Sequence, residues 1–155
     1  MIREAGPEDA AVVEAILLRS VGAAMFPLSN LRAHGLARGG FAGDHPHAMR
    51  VWLTAGGGFV ALTKSGMLMP LRADKDMPAG LRAELAGHSV TGAIGPVASV
   101  RPVLSGLGLD ERPTRINDDA LEAEGSFWIS AHGDPSGLQH LMMWVGDERF
   151  LFLLA

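Results

Sequence analysis

The residues best placed for chemistry lie in one stretch, Met67-Leu-Met-Pro-Leu-Arg-Ala-Asp-Lys-Asp-Met-Pro-Ala-Gly-Leu-Arg82. It reads as a strand over Met67 to Leu71, a loop over Arg72 to Met77, and a helix opened by Pro78 and closed by Gly87. Proline at the first helical position costs no hydrogen bond, and glycine just past the last turn ends a helix without strain. A strand feeding a helix N-terminus suits an anion, because free N–H groups and the helix dipole point at it. Arg72, Lys75 and Arg82 add positive charge there, whereas Asp74 and Asp76 oppose it. Like unit charges ~4 Å apart repel by roughly 1 kcal/mol in water and about 4 at an effective dielectric of 20. Two acids at the helix entrance therefore weigh against a doubly charged ligand.

Other constellations are weaker. His45-Pro-His47 beside Asp44 has the residue types of a metal chelate, but a site needs a third ligand and fixed outer partners. His132-Gly-Asp134-Pro135-Ser136 contains the types of a hydrolase triad, yet Ser136 sits in a turn-forming run without a Gly-x-Ser-x-Gly elbow. Gly56-Gly-Gly58 is hairpin chemistry with no phosphate-binding pattern around it. Glu84 falls on a helix, Glu122 and Glu124 fall in an acidic run, and each reads first as a wet surface group. Met67, Met69 and Met77 read as core filler.

Length and composition bound the remaining choices. A chain of 155 residues with 48% hydrophobic content supports one domain with a core, spanning 1–155. A net charge of −4 gives no basic stripe for nucleic acid. No cysteine is present, which excludes disulfides, thiolate metal ligands and a cysteine nucleophile. No apolar run approaches the ~18 residues of a membrane span, and the expected location is cytoplasmic.

The elements that would position the stretch follow in order. Ile2 to Ala5 suits a short strand, and Pro7, Glu8 and Asp9 open a helix whose dipole the two acids complement. Val13, Ile16, Leu17, Val21 and Ala24 form its apolar stripe. Leu28 to His34 makes a shorter helix ended by Gly35, and Ala37 to Pro46 reads as a mobile loop. Arg50 to Ala55, Phe59 to Lys64 and Met67 to Leu71 suit an antiparallel meander. After the Pro78 helix come a strand over Ser89 to Ile94, a turn at Gly95-Pro96, and a helix marked by Val97, Val100, Leu104 and Leu107. Pro102 should kink that helix, and Gly108 ends it. Leu109 to Gly125 reads as a polar connector, Phe127 to Ser130 as a strand, and Leu138 to Val145 with Arg149 to Leu154 as a final hairpin. The last strand lacks polar alternation, so both its faces should be covered.

The order β-α-α-β-β-β-α-β-α-β-β, together with particular residues, resembles the GNAT superfamily of N-acetyltransferases. Ile2-Arg3 with Asp9 beyond Gly6 is similar to that family's opening, and Leu107-Gly108-Leu109 is similar to the end of its last helix. Pro70, Arg72, Gly80 and Leu81 match its proline, arginine and final glycine around the acyl-CoA pyrophosphate loop. Met25 to Gly35 and Gly92 to Pro96 resemble the degenerate N-terminal half of two-domain members.

The resemblance implies an α+β domain with a mixed, mostly antiparallel central sheet and helices on both faces. It implies acetyl-CoA as cofactor, a small amine as acceptor, and a homodimer or partner domain. Cofactor contacts would fall on Leu68 or Met69, whose backbone amide would polarise the thioester carbonyl, and on Arg72, Lys75, Gly80 and Arg82. The family's leaving-group tyrosine falls at Leu104, a core position by spacing, and the chain has no tyrosine at all. That leaves Ser105 or Ser99 as the acid, and Ser105 is the candidate. Of the loop glycines only Gly80 is present. The expectation is an N-acetyltransferase domain with degraded motifs, and the alternative is a non-catalytic binding or regulatory module.

Overall fold

The structure is a computed structural model that describes residues 1–74 and 77–109 and the backbone of strands 116–119 and 150–154. The strands are β1 (Ile2–Glu4), β2 (Met49–Thr54), β3 (Phe59–Thr63), β4 (Met67–Leu71), β5 (Gly92–Pro96), β6 (Ile116–Asp119) and β7 (Phe150–Leu154). The helices are α1 (Ala10–Leu18), α2 (Met25–His34), α3 (Met77–Glu84) and α4 (Val97–Leu107), with a 3-10 turn at Pro7–Asp9 before α1. The sheet order is β1-β2-β3-β4-β5-β7-β6. Every neighbouring pair is antiparallel except β4 with β5. This is an α+β fold on a mixed, mostly antiparallel sheet.

Strand pleating sends alternate side chains to opposite faces. Met49, Val51, Leu53, Phe59, Ala61, Met69 and Leu71 pack with Val13, Leu17, Leu28 and Leu31 of α1 and α2. Trp52, Val60, Leu62, Leu68 and Ala93 pack with Met77, Leu81, Val100, Val103 and Leu104 of α3 and α4. Helices therefore cover both faces, and β2 and β3 are buried along nearly their whole length and apolar apart from Arg50, Thr54 and Thr63.

Several boundaries differ from expectation. Helix α1 stops at Leu18, so Val21 lies outside its stripe and is 53% exposed. Helix α2 takes in Met25, Phe26 and Pro27, with the proline in its first turn where no intrahelical N–H is needed. Strand β5 runs over Gly92–Pro96, so Gly95-Pro96 extends the strand and leads directly into α4. Pro102 lies inside α4, and Gly108 ends that helix in the left-handed region. The connector expected over Leu109 to Gly125 contains strand β6, which pairs with β7. The expected partner of β7 at Leu138 to Val145, the strand at Phe127 to Ser130, and the His132 to Ser136 turn lie outside the described residues.

The segment 37–48 carries no helix or strand, yet it is tethered. Gly39 N–H donates to Glu4 Oε2 at 3.0 Å, Arg38 pairs with Glu8, and Phe41 meets His88 edge-on.

Candidate functional site

The junction between β4 and β5 is where this sheet opens. Only Met67 with Gly92 and Leu68 with Ala93 are in parallel register, and β4 runs on for three residues without a β5 partner. Which backbone groups face the gap follows from the ladder. Lys64 N–H donates to Ala48 C=O and Thr54 N–H to Gly58 C=O, so the even-numbered residues from Gly58 to Lys64 turn toward β2. The odd residues of β3 turn toward β4, and their partners Met69 and Leu71 turn back toward β3. Leu68 and Pro70 therefore face β5. Leu68 lies within the paired segment, so Pro70 is the β4 residue facing the open part of the junction, and it has no N–H to give. Its carbonyl lies against Gly95: a Cβ built there would stand 2.6 Å from the Pro70 oxygen, and Gly95 adopts a φ of 155°.

The cleft on the α2 side of this junction is lined by Ala23, Met25, Phe26, Met69, Ile94 and their neighbours. It encloses about 10 Å³, room for about one water. None of its lining residues carries a side chain that transfers protons.

The N-terminus of α3 is already engaged. Met77 N–H donates to the Asp74 carboxylate at 3.0 Å, a capping contact made from within the chain. Pro78, next along, has no N–H. Gly80 packs against β1, since a Cβ there would lie 2.7 Å from Ile2 Cγ1, which explains the glycine without any ligand. Arg82 donates to the Gly106 carbonyl at 2.7 Å and ties α3 to the end of α4. Gly106 in turn lets α4 approach α3, because a Cβ would stand 2.2 Å from Pro78 Cβ. Arg72 sits at a φ of 53°, unusual for a side-chain-bearing residue, and its N–H donates to the buried Ser99 Oγ at 3.0 Å. Lys75 and Asp76 lie outside the described residues.

Ser105 is exposed on α4, off the face that buries Ser99, Val100, Val103 and Leu104. Leu104 is a core residue at 6% exposure, as its spacing indicated. Ser105 and the cleft lining share no residue, and Ser99 is committed to holding the end of β4.

No family model, curated protein or solved structure matches the chain. The expected acyl-CoA contacts can therefore be compared only with the residues themselves. Of the α3 N-terminal groups the Met77 N–H is capped and Pro78 has none, Gly80 and Arg82 make packing contacts, and the β4 residue facing the open part of the junction is a proline.

The polar cluster that the sequence did not reveal lies on the other side of β2. Arg50, 8% exposed, donates to Glu4 Oε1 at 2.7 Å and meets His88 Nε2 at 2.7 Å. It stacks on the Trp52 ring at 4.9 Å and lies 3.7 Å from Glu84, which accepts the Trp52 indole N–H at 3.2 Å. An arginine can only donate, so His88 Nε2 acts as acceptor. Glu84, expected as a solvated helix residue, is thus a partner of two buried groups. A second ion pair fixes the start of the chain: Arg3 donates both guanidinium arms to Asp9 at 2.8 Å. That contact and the Gly6 N–H hold the Asp9 carboxyl well below the usual carboxylate range. His34 stacks on His45 at 4.3 Å, and His45 meets His47 edge-on. Among the described residues no group of three or more His, Cys, Asp or Glu is arranged to hold a metal.

Proposed function

We propose that this chain is a GNAT-type N-acyltransferase domain that keeps the architecture and has lost the cofactor machinery. The observation that carries the family reading is the element order. Two helices follow the first strand, three antiparallel strands follow them, and a helix then links β4 to a parallel β5. The parting of β4 from β5 after two register pairs supplies the kind of opening in which a thioester would lie.

A specific observation favours the non-catalytic alternative over transfer. Asp74 occupies the Met77 N–H that an acyl-CoA pyrophosphate would need, and Pro70 replaces the amide a thioester carbonyl would need. The domain then acts as a binding or regulatory module beside a partner domain or a second copy. Calorimetric titration with acetyl-CoA and with free CoA tests this. The expected result is binding weaker than micromolar, less than about 8 kcal/mol. It should tighten in the Asp74→Gly, Asp76→Gly variant and tighten less at high salt. Submicromolar binding by the unmodified chain would overturn the reading.

A further inference from the structure

A broad concavity lies away from the β4–β5 junction, between α1, β1 and the β2–β3 hairpin. It is an open groove of about 800 Å³, within the range of small-molecule sites. Ile2, Val12, Ile16 and Leu53 give it apolar walls, and Ala11 and Ala15, four residues apart on α1, keep its helical side shallow. Helix α1 (Ala-Ala-Val-Val-Glu-Ala-Ile-Leu-Leu) has one charged residue in nine, the composition of a buried helix. Yet Val12 is 52% exposed and Leu18 49% exposed, so its outer apolar surface is uncovered.

The charge of the groove narrows what covers it. Its lining holds two arginines and no carboxylate, in a chain of net charge −4. Arg3 is neutralised by Asp9 near the N-terminal end of α1. Arg19, at the C-terminal end, has no partner among the described residues, whereas Arg32, Arg38, Arg50 and Lys64 each have a carboxylate. In a second copy packed groove to groove about a two-fold axis the same lining would offer Arg19 no carboxylate of its own. A ligand with an apolar chain and one anionic end meets both features. Ala11 to Arg19 spans about 12 Å of helix, a length an extended alkyl chain can follow.

We propose that this groove binds a single-chain amphiphilic anion, a fatty carboxylate, with its chain along α1 and its head group on Arg19. The site is separate from the β4–β5 junction, and the proposal stands whatever that junction does. The test is calorimetric titration of the full chain with dodecanoate below its micelle threshold, with acetate and a dodecyl trimethylammonium salt as controls. Saturable one-to-one binding of dodecanoate alone is expected. Arg19→Glu should weaken it about tenfold or more, the scale of one charge-assisted contact. Val12→Trp, which fills the groove, should abolish it while leaving the melting temperature near that of the parent. Equal binding of the cationic amphiphile, or dodecanoate binding unchanged in Arg19→Glu, would overturn the proposal. So would binding that appears only above the micelle threshold, or a ligand-free dimer that shields Val12 from solvent.

Discussion

The Asp74 carboxylate accepts the Met77 N–H at 3.0 Å, so α3 is capped by the same residue that would repel an anion there. One side chain thus caps the helix and places a negative charge at its N-terminus, and its removal should separate the two effects. Asp74→Ala should cost about 0.5–2 kcal/mol in a denaturant melt, the usual loss for a missing cap. The same variant should bind CoA more tightly in calorimetry. A variant that loses stability with no gain in CoA affinity would mark Asp74 as structural alone.

Glycines 80 and 106 make a contrasting pair. At Gly106 an added methyl meets the rigid Pro78 ring at 2.2 Å, and Gly106→Ala should destabilise by about 1–3 kcal/mol. At Gly80 the neighbour is Ile2 on a three-residue edge strand, which can yield. Gly80→Ala should therefore cost less than Gly106→Ala by thermal denaturation. The reverse order would contradict the packing roles assigned to both.

The Arg50 cluster predicts a large single-mutant effect. Arg50→Leu leaves Glu4 without its buried partner and should cost about 3–5 kcal/mol. Adding Glu4→Gln removes the stranded charge while keeping an oxygen for the Gly39 N–H, so the double variant should recover part of that loss. A double-mutant cycle in urea measures the coupling.

Acid sensitivity should trace to Asp9. Its carboxyl titrates below the ordinary value of 3.8 in the folded chain because Arg3 and the Gly6 N–H favour the charged form. The unfolded chain then binds the proton more readily, so the stabilisation is present above about pH 4 and is lost as pH falls through the folded value. Asp9→Asn should be less stable than the parent at neutral pH, and the gap should narrow below about pH 4. A gap that stays constant across that range would show that Asp9 acts only through shape.

Removing 149–155 should disrupt the sheet. Strand β5 has five register pairs with β7 and two with β4, so the truncation takes away most of its ladder. The expected result is loss of the cooperative melt or a change in size by gel filtration. A truncated chain that stays soluble and cooperatively folded would make β7 peripheral.

The parts of this fold that read directly from sequence are those set by local chemistry. Gly108 ends α4, Gly57 turns the β2–β3 hairpin at a φ of 80°, and Leu104 is core because its spacing fits a helical stripe. Misread elements depended on distant partners. Gly95-Pro96 has the composition of a turn, yet it forms a strand edge because the Pro70 carbonyl approaches where only glycine fits. Ile116–Asp119 looks like a polar connector because its pairing to β7 joins residues more than thirty apart in sequence. The Arg50–His88 contact spans 38 residues, and nothing near either one announces it. The packing duties of Gly80 and Arg82 were not legible, because their partners Ile2 and Gly106 lie 78 and 24 residues away in sequence.

The two-pair join between β4 and β5 also sets an order in time. On the ribosome β1 to β4 can close with α1 and α2 as soon as residue 71 has emerged, since their pairings are complete by then. Strand β5 ends at residue 96 and must wait for β7, which begins 150 − 96 = 54 residues later. At about 5–20 residues per second this leaves the β5 edge unpaired for roughly 3–11 s of synthesis. An open edge of that kind invites pairing with another nascent chain. It is therefore the point at which a chaperone holding the growing chain would do most to keep it from aggregating.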